Sequence, residues 1–409
     1  MKMSNSSVNE YKLLNADSVY ETECRLLKSA LFGAELSFLP DTSWQDVYGD
    51  LFKQTVETVP GDLLSKLPLS PELSIEWKKS CLWRISNFYQ ILQAQTEMVN
   101  ILRKENIDFV ILKGTAAAIY YPCPQYRTMG DIDFIVDPEQ FDRAYEILLS
   151  NGYVDTDGEF ARHKNLSKHG CEFEMHKYFS LQGTSGELKQ LDRLIFDGIK
   201  QAENASIDGN DFPVLPKLQN GLTLLQHIKH HLRRSLGMRQ ILDWMLYVDH
   251  CLDDDFWKTK FCIEAERAGL KKLAVNVTRM CQMYLGLDEK ITWCSEADDA
   301  LCRELFSHVM TCGNMGIKRT DRIQKAFDIK GGPFSLLKNL HNNGKKSWKA
   351  LKKYPFLSPF AWFYQLCHHI KSAFKYHISP IKLIKYSRAE VETADMFSRL
   401  GCPEDIVGN

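Results

Sequence analysis

Residues 107–136, IDFVILKGTAAAIYYPCPQYRTMGDIDFIV, decide how this chain of 409 residues is read. Ile107 to Leu112 is a short β-rich run, and Lys113-Gly114-Thr115 makes a turn after it. Ala116 to Tyr121 is helix-compatible, and the proline-bearing loop PCPQYRTMG follows. Asp131 to Val136 then alternates at first and becomes apolar, as a strand with an acidic edge does. On a strand successive side chains leave opposite faces, so Asp131 and Asp133 project to one side within reach of one cation. Hard Mg²⁺ takes oxygen ligands and keeps positions open for substrate phosphates, so this pair points to phosphoryl or nucleotidyl chemistry. A complete clamp needs a third acid. The strand CEFEMH at 171–176 offers Glu172, Glu174 and His176 on one face, and Glu174 is the predicted third ligand. The tight turn lets the amides of Gly114 and Thr115, and the Thr115 hydroxyl, approach phosphate oxygens, with Lys113 and Arg127 adding positive charge.

Outward from this stretch, Pro138 stops the strand, Glu139 to Ser150 has helical spacing, and Asn151-Gly152 closes it. Extended stretches are predicted at Tyr153–Thr156 and Cys171–Tyr178. The first hundred residues read as helices over Glu21–Phe32, Trp44–Val59 and Glu72–Arg103, broken by Pro60-Gly61 and Leu67-Pro68. Helical period returns over Leu222–Arg234, Met238–Cys251, Asp255–Gly269 and Lys271–Leu285. The expected division is a helical region 1–100, an α/β core 101–215, a helical domain 216–315 and a basic module 316–409.

Composition is that of an ordinary globular protein, with 44% hydrophobic and 25% charged residues, which excludes disordered, collagenous and simple coiled-coil classes. The N-terminus lacks the apolar core of a secretory signal and no window reaches a spanning length, so a soluble cytoplasmic protein is expected. Twelve cysteines without a CxxC pair suit a reducing compartment. The net charge of −1 is uneven: residues 317–388 hold 16 Lys or Arg against Asp321 and Asp328. Such a basic module on an acidic body suggests a polyanionic partner. Within it Lys345, Lys346, Lys349, Lys352 and Lys353 fall on one helix face, and Tyr354–Ile370 carries six aromatics and no Asp, Glu, Lys or Arg. Docking of that aromatic stretch onto the body is the first expectation, and contact with RNA or anionic lipid the second.

The run from Ile111 to Tyr153, together with FEMH at 173–176, resembles the uncharacterised nucleotidyltransferase family of the DNA polymerase beta-like superfamily. Members pair a hydrophobic-Gly-[Gly/Ser/Thr] turn with D-x-D and a later acid. The resemblance is specific over residues 87–179, looser to 250, and weak at Ser43-Trp44 and YPFLSP. Arg127, Gly130 and Asp131 fit the family's R-x-x-G-D arrangement, whereas fifteen residues between Thr115 and Asp131, and Thr at the turn's second position, depart from many superfamily members. The resemblance implies an α+β polymerase beta-like core flanked by helical domains. It implies Asp131, Asp133 and Glu174 holding two Mg²⁺ ions that bridge a nucleoside triphosphate, ATP foremost, and an acceptor hydroxyl. Lys113, Gly114, Thr115, Arg127 and Gly130 would serve the nucleotide, and attack at the α-phosphorus would release pyrophosphate. The acceptor, whether metabolite, sugar, protein or RNA, is not readable. The alternative function is a nucleotide- or RNA-binding module that keeps the fold without turnover.

Outside the D-x-D strand, His176 reads as a hydrogen-bonding support for a carboxylate or a substrate contact. Asp243 is a candidate acceptor-side acid, with Arg239 one turn earlier as its expected ion-pair partner. His227, His230 and His231 share a helix face at a spacing that can bind zinc, although a polar face explains them more simply.

Overall fold

The structure, a computed structural model, describes residues 5–156, 163–179, 186–232 and 236–314, with 340–341, 344–345, 348, 351, 355–365, 367 and 395–402 beyond them. Three helices come first: α1 (Asn5–Phe32), α2 (Trp44–Gln54) and α3 (Pro71–Lys104). Ser70 starts α3 by accepting a hydrogen bond from the Leu73 amide, with Pro71 in the first turn where its missing N–H costs nothing. The expected helix 44–59 stops at Gln54, because Thr55 turns left-handed at φ 56° and its amide satisfies the last carbonyls.

The deciding stretch folds as β1 (Phe109–Ile111), α4 (Gly114–Ala118) and β2 (Ile132–Val136), followed by α5 (Phe141–Ser150). Then come β3 (Val154–Asp155), β4 (His163–Lys168), β5 (Cys171–His176), α6 (Gly186–Lys200), β6 (Glu203–Ile207) and β7 (Asn210–Val214). The seven strands form one mixed sheet in the order β3-β4-β5-β2-β1-β7-β6. β2 runs antiparallel to β1 and parallel to β5, and β1 runs parallel to β7. Five helical segments follow the sheet in the main body: α7 (Lys217–Leu232), α8 (Met238–Cys251), a helical run from Asp254 to Arg267 that widens into a π-helical turn at Trp257–Phe261, and the pair Lys271–Leu285 (here α9) and Asp299–Cys312 (here α10).

Alternation along the strands assigns each face. Phe109, Ile111, Ile132, Phe134, Val136, Phe173 and Met175 face a core closed by the C-terminal half of α3 and by α5. Val110, Leu112 and Ile135 face the other way, into a second core. That core also takes Leu26 and Leu27 of α1, Val47 and Leu51 of α2, and the apolar faces of α7 to α10, so the first and last helices are packed as one body. Gly221 lets α7 approach α8: a Cβ there would stand 2.5 Å from the Tyr247 ring. The chain matches the α+β expectation, a mixed sheet flanked by helical regions.

Most of the basic module 317–388 lies outside the described residues, and so does the lysine stripe apart from Lys345. Of the aromatic stretch, Trp348 stacks on Tyr364 and Ala361 is buried, whereas Phe356, Phe360 and Phe363 are exposed. Met396, Phe397 and Leu400 pack into the helical core, where Phe397 meets His308 edge-on. Among the described residues no helix is long and apolar enough to cross a membrane.

Candidate active site

The register of β2 and β5 brings the acids together. Asp133 stands directly opposite Glu174 and Ile135 opposite His176, so Asp133, Glu174 and His176 leave the same face of the sheet. Asp131, one step before β2, joins them, and a carboxylate oxygen from each of Asp131, Asp133 and Glu174 lies within 4.8 Å of the others. Gly130 and Asp131 are exposed, so the cluster is open to solvent on that side. Three carboxylates at this separation form the all-oxygen donor set that a hard divalent cation takes.

Lys113 closes the group from beneath: its Nζ donates to Asp133 Oδ1 at 2.9 Å. His176 Nε2 contacts the same oxygen at 3.0 Å. Burial opposes ionisation of Asp133, but the Lys113 charge and the His176 contact outweigh it and hold the carboxyl well below the ordinary range. Burial likewise opposes the Lys113 charge and is outweighed by Asp133, so the ammonium is held more tightly than usual. Asp131 moves the other way, raised chiefly by the neighbouring Asp133 charge. Glu174 is raised by burial, with the charges of Asp133 and Asp131 adding to it.

These two upward shifts set a pH dependence. Cations bind the ionised carboxylates and must displace protons that Asp131 and Glu174 hold at higher pH than a free acid would. Divalent-cation affinity, measured by equilibrium titration, is expected to fall as the solution is acidified, and a flat profile would contradict the carboxylate set.

The Lys113 backbone is unusual, with φ 50° and ψ −127°, a region that L-residues avoid at a cost of about 1–3 kcal/mol. Gly114 follows with φ 30° and lies against the Met129 side chain, 3.2 Å from where a Cβ would be. Thr115 is fully buried and its hydroxyl donates to Gln95 of α3 at 2.7 Å. That hydroxyl anchors the turn to α3, and the first backbone amides of α4 have no acceptor within the helix.

Arg127 and Asp243, predicted for the nucleotide and the acceptor, prove to be partners of each other. Arg127 Nε and Nη2 donate to the two Asp243 oxygens at 2.8 and 2.7 Å, and Tyr121 donates to Asp243 Oδ1 at 3.0 Å. Arg127 is 4% exposed and Asp243 1%, so neither is presented to substrate. Arg239 does not pair with Asp243 as expected; its Nη1 donates to the Thr128 carbonyl at 3.0 Å. The Asn87 amide donates to the Met129 carbonyl, and the Thr58 hydroxyl to that of Tyr126. The loop delivering Gly130 and Asp131 is thus braced from α3, from α8 and from the segment after α2.

The α7 histidines overlook the site. His227 and His231 rings lie 4.5 Å apart, edge to face. Among the described residues the groups that could hold a metal do not include them. Burial holds both well below the usual imidazole range, helped by the charge of Lys113 nearby, and His231 comes down to about 4. A histidine depressed in the folded state binds its proton more readily when unfolded, so stability falls as pH drops from about 6.5 to 4. The urea midpoint is expected to decline over that window, and less steeply in His231→Gln. An identical slope in the variant would remove His231 as a cause.

Sequence reasoning did not find His163, Gln95, Asn87 or Tyr121 as parts of this neighbourhood. His163 alone carried a local signal, since the β4–β5 hairpin turns at His169-Gly170, both at positive φ. Among curated proteins none matches the chain. Residues 40–286, which span the acid cluster, its braces and the helices α7 and α8, match the family described as uncharacterised nucleotidyltransferase, and the chain belongs to that family.

Proposed function

We propose that the protein moves a nucleoside monophosphate, AMP foremost, from a nucleoside triphosphate to an acceptor hydroxyl, with release of pyrophosphate. The observation that carries this reading is the convergence of Asp131, Asp133 and Glu174 from adjacent strands beside the ammonium of Lys113. These carboxylates are the groups that would hold Mg²⁺, two ions in the favoured form. Bound there, divalent ions neutralise phosphate charge and make the acceptor hydroxyl more acidic.

The chain's own residues supply the rest. Lys113 contributes positive charge on the phosphate side, and the Gly114 and Thr115 amides open the first turn of α4, where backbone N–H groups lack intrahelical acceptors. His176 orients Asp133 through their hydrogen bond. Arg127 and Asp243 act at one remove, by fixing the loop that sets Asp131 in place. Twelve cysteines without a CxxC pair support a reducing compartment such as the cytoplasm.

The test is transfer of label from each α-labelled triphosphate with Mg²⁺ in host lysate. A labelled product whose formation depends on Asp133 is the expected result, and its size assigns the acceptor class. Triphosphate binding without pyrophosphate release across a broad acceptor panel would favour a module that binds without turnover.

A further inference from the structure

The sheet register sets a second group of donors beside the carboxylates, and this one contains nitrogen. His163 of β4 stands directly opposite His176 of β5, so both imidazoles leave the face that carries Glu174. His163 Nδ1 lies 3.7 Å and His176 Nε2 3.8 Å from the same oxygen, Glu174 Oε1. One donor atom from each of the three residues falls within 4.8 Å of the others, and the two rings are 5.9 Å apart. Separations of 3.7–3.8 Å are too long for hydrogen bonds, which close to about 2.7–3.2 Å. They approach the roughly 3.4 Å ligand-to-ligand edge of a four-coordinate ion whose bonds are about 2.0–2.2 Å. A modest inward movement of each side chain would complete that edge.

Donor chemistry then distinguishes the two groups. Asp131, Asp133 and Glu174 offer only oxygen, which suits Mg²⁺. Two imidazoles and one carboxylate suit first-row transition ions, and three protein ligands leave a position for water or substrate. We infer that His163, Glu174 and His176 form a binding site for a zinc-class divalent ion, next to the carboxylate group and sharing Glu174 with it. The inference concerns binding alone and does not rest on nucleotidyl transfer.

Ligation has a definite proton balance at His176. Its Nε2 now contacts Asp133 Oδ1 at 3.0 Å, and a metal-bound nitrogen must give up any proton it carries. Asp133 then loses that contact and keeps the one from Lys113.

Co²⁺ is the probe, titrated into the purified full-length chain without nucleotide and followed by its visible ligand-field absorption. The wild type is expected to bind one ion in a nitrogen-containing site, with Zn²⁺ bleaching the band stoichiometrically and excess Mg²⁺ leaving it in place. His163→Ala should weaken Co²⁺ binding about tenfold or more. Asp131→Asn, which removes no donor of this set, should bind Co²⁺ within about twofold of the wild type. The wild-type competition needs no variant, so a folding defect in His163→Ala does not block the test. Absence of the band, displacement of Co²⁺ by Mg²⁺ as readily as by Zn²⁺, or a band unchanged in His163→Ala would each overturn the inference. Loss of transfer in Asp131→Asn with Co²⁺ binding retained would separate this site from the reaction.

Discussion

Replacing Asp243 with alanine is expected to lower the free energy of unfolding by about 3–5 kcal/mol, a large fraction of the total for an ordinary domain. The Arg127 guanidinium would remain buried with its two strongest acceptors gone, and Tyr121 would lose its partner as well. Urea denaturation measures the effect. Arg127→Met combined with Asp243→Leu should cost less than Asp243→Ala alone, because removing both charges leaves neither stranded in an apolar setting. A loss under about 1 kcal/mol in Asp243→Ala would mean that the pair is not the brace it is taken to be. Because the pair holds the loop before Asp131, a folded Asp243→Asn protein should also bind divalent cations more weakly, at a position that touches none of them.

Asp133→Asn is expected to have the largest effect on transfer. Asp133 joins the carboxylates to Lys113 and His176, so the amide removes one proposed cation ligand and unbalances two more groups. Loss of several kcal/mol of stabilisation at the reacting phosphate corresponds to about a thousandfold or more in rate. Labelled-triphosphate transfer is the measurement, with unfolding in urea as the control for structure. Asn retains the size of Asp, so a fold loss comparable to that of Asp243→Ala is not expected. Undiminished transfer would remove the proposed chemistry from this site.

Much of this site is legible because it rests on two-residue alternation. Asp133 and Ile135 face one way and Ile132, Phe134 and Val136 the other, and the same parity places Glu174 and His176 together on β5. What local pattern does not carry is the choice among distant partners. Arg239 is one helical turn from Asp243, yet the carboxylate goes to Arg127, 116 residues away, because a fork of two donors reaches both oxygens where the loop folds back. The Thr115 hydroxyl has the chemistry to meet a phosphate and instead meets Gln95, since the turn packs directly against α3. The β6–β7 hairpin was signalled by Asp208-Gly209, whose φ values of 49° and 78° are those of a tight two-residue turn between strands. It escaped notice because ENASI and NDFPV are too polar to read as strands by hydrophobic alternation alone.

The shared helical core also dictates an order of events during synthesis. Gln54, at the end of α2, donates to the carbonyl of Val309, 255 residues later, and accepts from the amide of Met238. A ribosome that has released every strand of the sheet has therefore not yet made all of the surface against which α1 and α2 are buried. Leu26, Leu27, Val47 and Leu51, all essentially inaccessible in the finished protein, belong to a core that is completed only when some 250 further residues have emerged. At about 5–20 residues per second that is on the order of ten seconds or more. Fragments ending before α9 should therefore be poorly soluble even though they contain the complete acid cluster.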